Sequence, residues 1–386
     1  MKKNFAFNFL VFVSAFIIVF YLQAECASLK TVYSAGKVRF VPELILKAES
    51  MPEGVFFEAP IGITSDGKGN VYICDAQAND IKKFDAQGSY LATFGKAGQG
   101  PGDFSRPFQV VFSYDRIVVL DMGNRRLCTL SPDGKFLFSK KFPSNLGYPM
   151  RMEALLSGNL IMELERMFPT DPEKPQLTSL VLLSSENFDL LDSLYSHSVW
   201  KHKFLQIQGR GVNIPQPYCP SVHWDVGKMG EIVVGFSDEY KIGIMDIQKK
   251  LHSTFSREYI PIKITREDQK NFFNELVAVS SDGPTDKVPE FLIENTKFPK
   301  YKPAFDNILI DSEGNMLIHV LTEKDKNSPD SFDAFDSKGD FIASVQILGN
   351  IKFPTEPWTY FTDDCFWQCR ENEQGFIEVV KFRITN

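Results

Sequence analysis

A short apolar run that returns six times constrains the fold of this 386-residue chain more than any other feature. The five-residue runs begin at Val71, Ile117, Leu160, Ile232, Met316 and Cys365. A proline stands 8 to 13 residues before each run, at Pro60, Pro107, Pro149, Pro220, Pro303 and Pro357. Repeats with a period of about 40 to 50 residues are typical of propellers and solenoids. The chain is therefore expected to be built from repeated β units.

The first copy indicates what one unit contains. A strand begins at Pro60, a polar turn at 65–70 reverses the chain, and the apolar run at 71–74 returns. Residues 81–85 alternate apolar and polar, and a second turn leads to a fourth strand at 89–94. Four antiparallel strands joined by turns rich in Asp and Gly form one propeller blade.

The sequence thus predicts an all-β, six-bladed β-propeller with four-stranded antiparallel blades, formed by residues 26–386 as one domain. The blades are expected at about residues 60–96, 105–142, 149–196, 220–255, 303–348 and 357–384. The last copy lacks one strand, and residues 39–47 are strand-like and unassigned. Because an open edge strand would template aggregation, we expect this N-terminal strand to complete the last blade and close the ring.

One part of the repeat resembles a known family. Asp121, Asn124, Arg126 and Leu127 match the D-x-x-N-x-R-I core of NHL repeats, with Leu for Ile, and the glycine-rich stretch 94–107 is similar to their linkers. The whole chain resembles the exported six-bladed NHL-repeat and TolB-like propellers of bacteria. The resemblance implies this fold, and it implies function only weakly.

The N-terminus has the pattern of a secretory signal peptide at residues 1–25. Lys2 and Lys3 precede an apolar stretch at residues 9–22. An uncleaved signal anchor is the alternative, because the uncharged residues 4–24 are long enough to span a bilayer. We expect an exported protein in the periplasm, the cell envelope or the extracellular space.

Cys26 offers a second means of membrane attachment, a lipid bound to its thiol. A bacterial lipobox places a small residue before the cysteine and Leu three before it, whereas Glu25 and Gln23 stand here. Membrane contact is accordingly expected only through an N-terminal anchor or a lipid on Cys26. The other cysteines are interpreted mainly as buried thiols, and a long-range disulfide involving Cys26 or Cys219 remains open.

Charge and motif spacing exclude several functions. A formal net charge of −7 lacks the basic surface that binds a phosphate backbone, so no nucleic-acid partner is expected. The five histidines have no zinc spacing, and no G-x-S-x-G motif is present. We predict no catalytic residues, no metal and no cofactor. Residues 98–102 are interpreted as a linker rather than a phosphate loop, because a strand follows them and no Lys-Ser/Thr pair is present.

Several aspartates are interpreted as structural. Asp66, Asp85, Asp311 and Asp336 lie in Asp-x-x-Gly pieces that are typical of hairpin turns rather than calcium loops. Asp75 and Asp121 each end a second strand. We expect their carboxylates to accept backbone N–H groups of the following loop.

The topology predicts which face carries the function. In a four-stranded meander, the loop between the second and third strands emerges on the same face as the link to the next blade. The long segments all belong to this class, at residues 165–178, 197–219, 256–302 and 321–331. Long loops on a rigid scaffold are usually functional. The inter-blade insertion 256–302 contains a predicted helix that begins after Thr265, and it is expected to be either a lid over the channel or a brace.

The candidate binding residues enter the channel on that face or lie in its loops. They are Arg106, Asn124, Arg125, Tyr148, Arg151, Lys302, Glu356 and Trp358. Cations and aromatic rings there suit a partner protein, a peptide, or an anionic or carbohydrate-like ligand. The sequence favours a non-catalytic binding scaffold. The alternative is a propeller hydrolase or lyase, lactonase-like, with a metal held in the central channel, for which the first strands offer Gln109, Asp225 and Asp306.

Overall fold

The computed structural model describes residues 28–142, 145–168, 171, 174–207, 210–227, 229–278, 288–321, 330–349, 359–362, 365–372 and 374–386. Its sheets are four four-stranded sheets, one eight-stranded sheet and one two-stranded hairpin. The chain is therefore all-β with four-stranded antiparallel blades, arranged in the manner of a propeller.

Each four-stranded sheet is an antiparallel meander in chain order. Sheet one contains β2 (Pro60–Ser65), β3 (Val71–Asp75), β4 (Asp80–Phe84) and β5 (Tyr90–Phe94). Sheet two contains β6 (Pro107–Ser113), β7 (Arg116–Asp121), β8 (Arg126–Leu130) and β9 (Phe136–Lys141). Sheet three contains β10 (Tyr148–Ala154), β11 (Leu160–Arg166), β12 (Gln176–Leu183) and β13 (Leu190–Val199). Sheet four contains β16 (Val222–Val226), β17 (Ile232–Phe236), β18 (Lys241–Met245) and β19 (Leu251–Ser256).

The eight-stranded sheet joins a four-stranded meander to a three-stranded one through the N-terminal strand. Its first meander is β20 (Asn307–Ile310), β21 (Met316–His319), β22 (Ser331–Phe335) and β23 (Phe341–Leu348). Its second is β24 (Thr359–Thr362), β25 (Cys365–Glu371) and β26 (Ile377–Thr385). Strand β1 (Lys37–Leu46) pairs antiparallel with β26 and, through its first residues, parallel with β23. The N-terminal strand thus lies beside the last three strands of the chain.

Helices and a hairpin occupy the long connections. The hairpin is formed by β14 (His202–Ile207) and β15 (Arg210–Pro215), and a 3₁₀ turn lies at Ala48–Ser50. The helices are α1 (Leu29–Ser34), α2 (Arg266–Ala278) and α3 (Glu290–Asn295). The predicted start of α2 is confirmed, because Thr265 Oγ1 accepts the Asp268 N–H at 3.1 Å and Asp268 Oδ2 accepts the Thr265 N–H at 2.8 Å. Over the described residues, no helix is long and apolar enough to cross a membrane.

The short turns have the geometry that the sequence predicts for them. In the turn after β2, Asp66 Oδ1 accepts the N–H groups of Lys68 and Asn70, both at 2.9 Å. Asp85, Asp311 and Asp336 accept the N–H groups two and four residues later in the same way. The hairpin-turn interpretation of these aspartates is therefore confirmed.

The apolar core is divided among successive sheets. Tyr72 of sheet one packs in one cluster with Val119 of sheet two, and Val118 packs in the next cluster with Met162 of sheet three. Ile161 and Trp224 join sheets three and four. Further clusters join sheet four to β20–β22, β21–β23 to β1 and β26, and β25–β26 to sheet one. Each four-stranded sheet therefore shares apolar clusters with two different neighbours.

The described cysteines form no disulfide with one another, and most of them are buried. Cys74, Cys128 and Cys365 are buried, while Cys219 and Cys369 are partly buried. Burial raises the pKa of the Cys128 thiol to about 11 and that of Cys369 to about 12. Such thiols are protonated and unreactive at neutral pH. Cys26 lies outside the described residues.

Asp75 and Asp121 hold the segment that enters each sheet. Asp75 accepts the N–H groups of Glu58 and Ala59, at 2.8 and 2.9 Å, and that of Ala78 at 3.1 Å. Asp121 accepts the Ser105 N–H at 2.8 Å. The structural role is confirmed, but most of the backbone donors come from the preceding segment rather than from the following loop.

Arg126 attaches the glycine-rich linker to sheet two. Its Nε donates to Asp121 Oδ2 at 2.9 Å, and its Nη atoms donate to the carbonyl oxygens of Gln99, Gly100 and Asp103. The linker thus turns its carbonyl groups toward a cation, whereas a phosphate loop turns its N–H groups toward an anion. Both Arg126 (7% exposed) and Asp121 (0% exposed) are buried.

We expect Arg126→Met to lower the free energy of unfolding by about 3 kcal/mol, because it leaves the Asp121 carboxylate buried without its cation. Urea denaturation followed by circular dichroism measures the change. Arg125→Met, at the exposed neighbouring position, is the matched control and should cost less than about 1 kcal/mol. Equal losses for the two variants would contradict the role assigned to Arg126.

A histidine held by two aspartates ends strand β21. His319 is 4% exposed, its Nδ1 contacts Asp306 Oδ1, and its Nε2 lies 2.8 Å from Asp330 Oδ1. Burial opposes the charged form, but hydrogen bonds to the two carboxylates outweigh it and raise the pKa of His319 to about 9. Folding therefore stabilises the protonated ring.

We expect stability to depend on pH through His319. Because the folded-state pKa of about 9 lies above the ordinary 6.5, the contribution is complete below about pH 6.5 and is lost as the pH rises to about 9. The loss should amount to about 3 kcal/mol. Urea denaturation at several pH values tests this, with His319→Gln as the comparison. An identical pH dependence in the variant would refute the assignment.

Candidate functional site

The order of strands gives the molecule two faces of different character. The face here called the short-turn face carries the turns between first and second and between third and fourth strands, such as 66–70, 113–116, 155–159, 227–231 and 311–315. The opposite, long-loop face carries the connections between second and third strands and the links between sheets. The β14–β15 hairpin, α2 and α3 all lie in such links.

A cleft opens on the long-loop face between sheets two and three. Its volume is about 290 Å³, and it is lined by Leu120, Asp121, Met122, Gly123, Arg125, Phe142, Tyr148 and Pro149. The Arg125 guanidinium lies over the Tyr148 ring, with Cζ 5.0 Å from the ring centroid. Tyr148 is 47% exposed, so the ring remains available to a ligand. Two of the predicted binding residues therefore form the rim of one cleft.

Arg106 lies on the loop next to this cleft. The Gly123 N–H donates to the Ser105 carbonyl at 2.7 Å, which holds the two loops together. The Arg106 N–H donates to Asn79 Oδ1 at 2.7 Å, and its side chain is exposed. Within the described part of the chain, neither Arg106 nor Arg125 forms an ion pair. Both cations are thus free to meet an anionic group.

Unlike the side chains of Arg106 and Arg125, the Asn124 side chain is held within the loop. Its Nδ2 donates to Asp121 Oδ2 at 2.7 Å and to the Gly98 carbonyl at 2.9 Å. Its amide belongs to the same network as Arg126, so it supports the loop that carries Arg125.

Arg151 lies deeper, on the first strand of sheet three. Its Nη2 donates to Asp225 Oδ1 at 2.7 Å and to Glu153 Oε1 at 3.1 Å, and its Cζ lies 4.7 Å from the centroid of a Trp224 ring. It follows Tyr148 by three positions, which is about 10 Å along β10. Arg151 therefore joins sheets three and four, while 26% of its side chain stays exposed.

Two titratable groups near Arg151 have shifted pKa values. Burial and the Asp225 carboxylate raise the pKa of Glu153 above its ordinary value, although Arg151 opposes this. Burial also lowers the pKa of His223 to about 4, so its ring is neutral at pH 7. The ring of His223 packs edge-on against Phe305, with centroids 5.5 Å apart. The Arg151–Asp225 ion pair thus lies near a neutral imidazole.

Lys302 is placed in the insertion between sheet four and β20. Its Nζ donates to Asp268 Oδ1 of α2 at 2.7 Å and lies 5.3 Å from the Tyr218 ring centroid. Phe298 packs against Tyr218 and against Phe272 of α2. These contacts join the insertion 256–302 to the preceding link. Glu356 and Trp358, the remaining predicted residues, lie outside the described residues.

Sequence reasoning missed several of these groups. Glu153 was not considered, although it follows Arg151 by two positions and so points to the same side of the strand. Glu163 was also missed: its Oε2 accepts the Trp224 indole N–H at 2.7 Å. A carboxylate in the middle of the apolar run at 160–164 was the available signal, because a buried charge requires a partner.

No protein-family model matches this sequence, and no curated protein matches it. Solved structures do match. A member of the DUF4221 family from Bacteroides vulgatus has a TM-score of 0.54 at 13% identity, over 91% of this chain and 99% of that chain. A candidate exported protein from Bacteroides fragilis has a TM-score of 0.51 at 12% identity, over 91% of this chain and 95% of that chain.

Another match is the virginiamycin B lyase of Staphylococcus aureus, with a TM-score of 0.42 at 10% identity, over 91% of this chain and 99% of that chain. The similarity in fold rests on the two Bacteroides structures, whose TM-scores are 0.54 and 0.51. Together they place the chain among proteins with a β-propeller fold.

Proposed function

We propose that this chain is an exported β-propeller that binds a ligand or partner protein at its long-loop face and catalyses no reaction. The observation that carries the proposal is the cleft of about 290 Å³ where Arg125 lies over the exposed Tyr148 ring. Export is supported by the signal-like N-terminal sequence and by the similarity to a candidate exported protein of Bacteroides fragilis.

The proposed scaffold is a closed ring of six blades of the NHL-repeat type. In this view the eight-stranded sheet contains two blades, and β1 is the fourth strand of the last. Two observations support closure: Trp367 and Val379 share an apolar cluster with Ile73 of sheet one, and β2 contacts β24 and β25. The Asp121, Asn124 and Arg126 network supports the NHL-like assignment of sheet two.

The chemistry of the cleft favours an anionic partner with an apolar or ring-shaped part. Arg106 and Arg125 can donate charge-assisted hydrogen bonds to carboxylates or sulfates. The Tyr148 ring, with Met122, Phe142 and Pro149, offers an apolar surface on which a sugar or a side chain can pack. An acidic peptide or an acidic oligosaccharide fits this combination.

The enzyme alternative is less well supported, because the polar residues considered for it are already engaged. Gln109 exchanges two hydrogen bonds with the Met152 backbone, at 2.7 and 2.8 Å. Asp225 accepts from Arg151 and from the Ile310 N–H, both at 2.7 Å, and Asp306 contacts His319. Across the residues that the structure describes, no cluster of three or more His, Cys, Asp or Glu is placed to hold a metal ion.

We expect Arg125→Ala to weaken binding of an acidic probe about tenfold, or about 1.4 kcal/mol. The probes are a glutamate-rich peptide and oligogalacturonate, titrated by calorimetry against the purified protein. The affinity of the parent protein should fall with added salt, because exposed charges are screened. Arg39→Ala, at an exposed position on β1, is the matched control and should leave the affinity unchanged.

If the protein binds a probe and neither Arg125→Ala nor Arg106→Ala weakens that binding, the cleft is not the binding site. Failure of both probes to bind would reject the anionic ligand class. Metal analysis separates the enzyme alternative, since stoichiometric calcium or zinc that resists dialysis would favour it over a non-catalytic scaffold.

A further inference from the structure

We propose that the short-turn face contacts a phospholipid bilayer to which the N-terminal segment tethers the chain, so that the long-loop face points away from the membrane. Two independent observations carry this orientation: the place where the described chain begins, and an exposed apolar crescent on the same face.

The chain enters the fold at the short-turn face. The Leu29 N–H donates to Glu313 Oε1 at 2.8 Å, and Lys30 Nζ lies 2.8 Å from Asp336 Oδ2. Glu313 lies in the turn between β20 and β21, and Asp336 in the turn between β22 and β23. Helix α1 is thereby held against two turns of this face.

The tether between this point and the apolar N-terminal stretch is short. Only residues 23–27 separate the apolar stretch at 9–22 from Ser28. Five residues span at most about 18 Å when fully extended. If the anchor is instead a lipid on Cys26, Ala27 alone intervenes. Either anchor brings the short-turn face close to the bilayer surface.

Three neighbouring turns of this face expose large apolar side chains. Tyr114, Leu156 and Met229 are 64%, 75% and 83% exposed, and they lie in the first turns of sheets two, three and four. The corresponding turns after β2 and β20 instead carry Asp66 and Asp311, the residue type expected at hairpin turns. We call Tyr114, Leu156 and Met229 the apolar crescent.

The three turns that carry the apolar crescent lie next to one another. Ser113 Oγ donates to the Gly158 carbonyl at 3.0 Å, and the Tyr114 ring covers Gly158 so closely that a Cβ there would lie 2.3 Å from it. Leu155 Cδ2 comes within 4.0 Å of the Cβ position at Gly230. The crescent borders a cavity of about 430 Å³ lined in part by Tyr114, Leu155, Leu156 and Ile310.

The side chain of Tyr114 is held there at a conformational cost. Its φ is 53°, in the left-handed region that Asn and Gly occupy more readily in two-residue hairpins. The Tyr114 ring packs on Gly158 of sheet three, yet 64% of the residue stays exposed. Tyrosine with Leu and Met is suited to the bilayer interface, where the ring has an apolar body and a polar tip.

The test uses the full chain reconstituted in vesicles of phosphatidylethanolamine and phosphatidylglycerol with brominated acyl chains, which quench nearby tryptophans. Tyr114→Trp, Leu156→Trp and Met229→Trp are compared one at a time with the parent chain, which has four tryptophans. Phe376→Trp is the matched control, because Phe376 is 56% exposed beside the β25–β26 turn on the long-loop face.

We expect emission from positions 114, 156 and 229 to fall in brominated vesicles relative to unbrominated ones, with no change at position 376. Adding Leu156→Asp and Met229→Asp to Tyr114→Trp should restore the emission while the chain still floats with the vesicles. Equal quenching at position 376, or none at the crescent, would overturn the orientation. So would failure of the chain to float, or shielding of the crescent from aqueous iodide without vesicles, which would instead indicate contact with a second copy.

Discussion

The structure depends on apolar packing between successive sheets. Each blade has two apolar faces and cannot bury either alone, so its stability comes from its neighbours on both sides. Trp224 illustrates this: its ring packs with Ile161 of sheet three, while its indole N–H donates to Glu163. The same packing brings the first strands of neighbouring sheets together, so that Gln109 bonds the Met152 backbone and Arg151 bonds Asp225.

Because of this packing, the long-loop face and the short-turn face have separate proposed functions. On the long-loop face, the network of Asp121, Asn124 and Arg126 holds the loops that present Arg106 and Arg125. On the short-turn face, the apolar crescent occupies three neighbouring turns, and the N-terminal helix contacts the polar turn that contains Glu313. The proposed binding cleft and the proposed membrane contact are therefore on opposite faces of the fold, so neither would obstruct the other.

Local features of the fold could be predicted well, because each depends on residues close in the chain. The Asp-x-x-Gly turns, the start of α2 at Thr265 and the strand alternation in sheet one all follow from contacts within four residues. Of the candidate site, the cleft residues Arg125 and Tyr148 could be placed on one face by topology alone. Asn124 was assigned to the binding set, whereas its amide bonds Asp121 and the Gly98 carbonyl.

The sequence by itself determined the repeated four-stranded unit, the turns that bound it and the face on which the long connections emerge, because strand periodicity and turn chemistry are local. Only the tertiary structure decided which charges remain free. Arg151 meets Asp225, which is 74 positions away, and Lys302 meets Asp268, whereas Arg106 and Arg125 form no ion pair within the described residues. The apolar crescent likewise appeared only when three distant turns were brought together. The periodicity of the sequence specifies the strands of each blade, but the packing of one blade on the next determines which groups each side chain contacts.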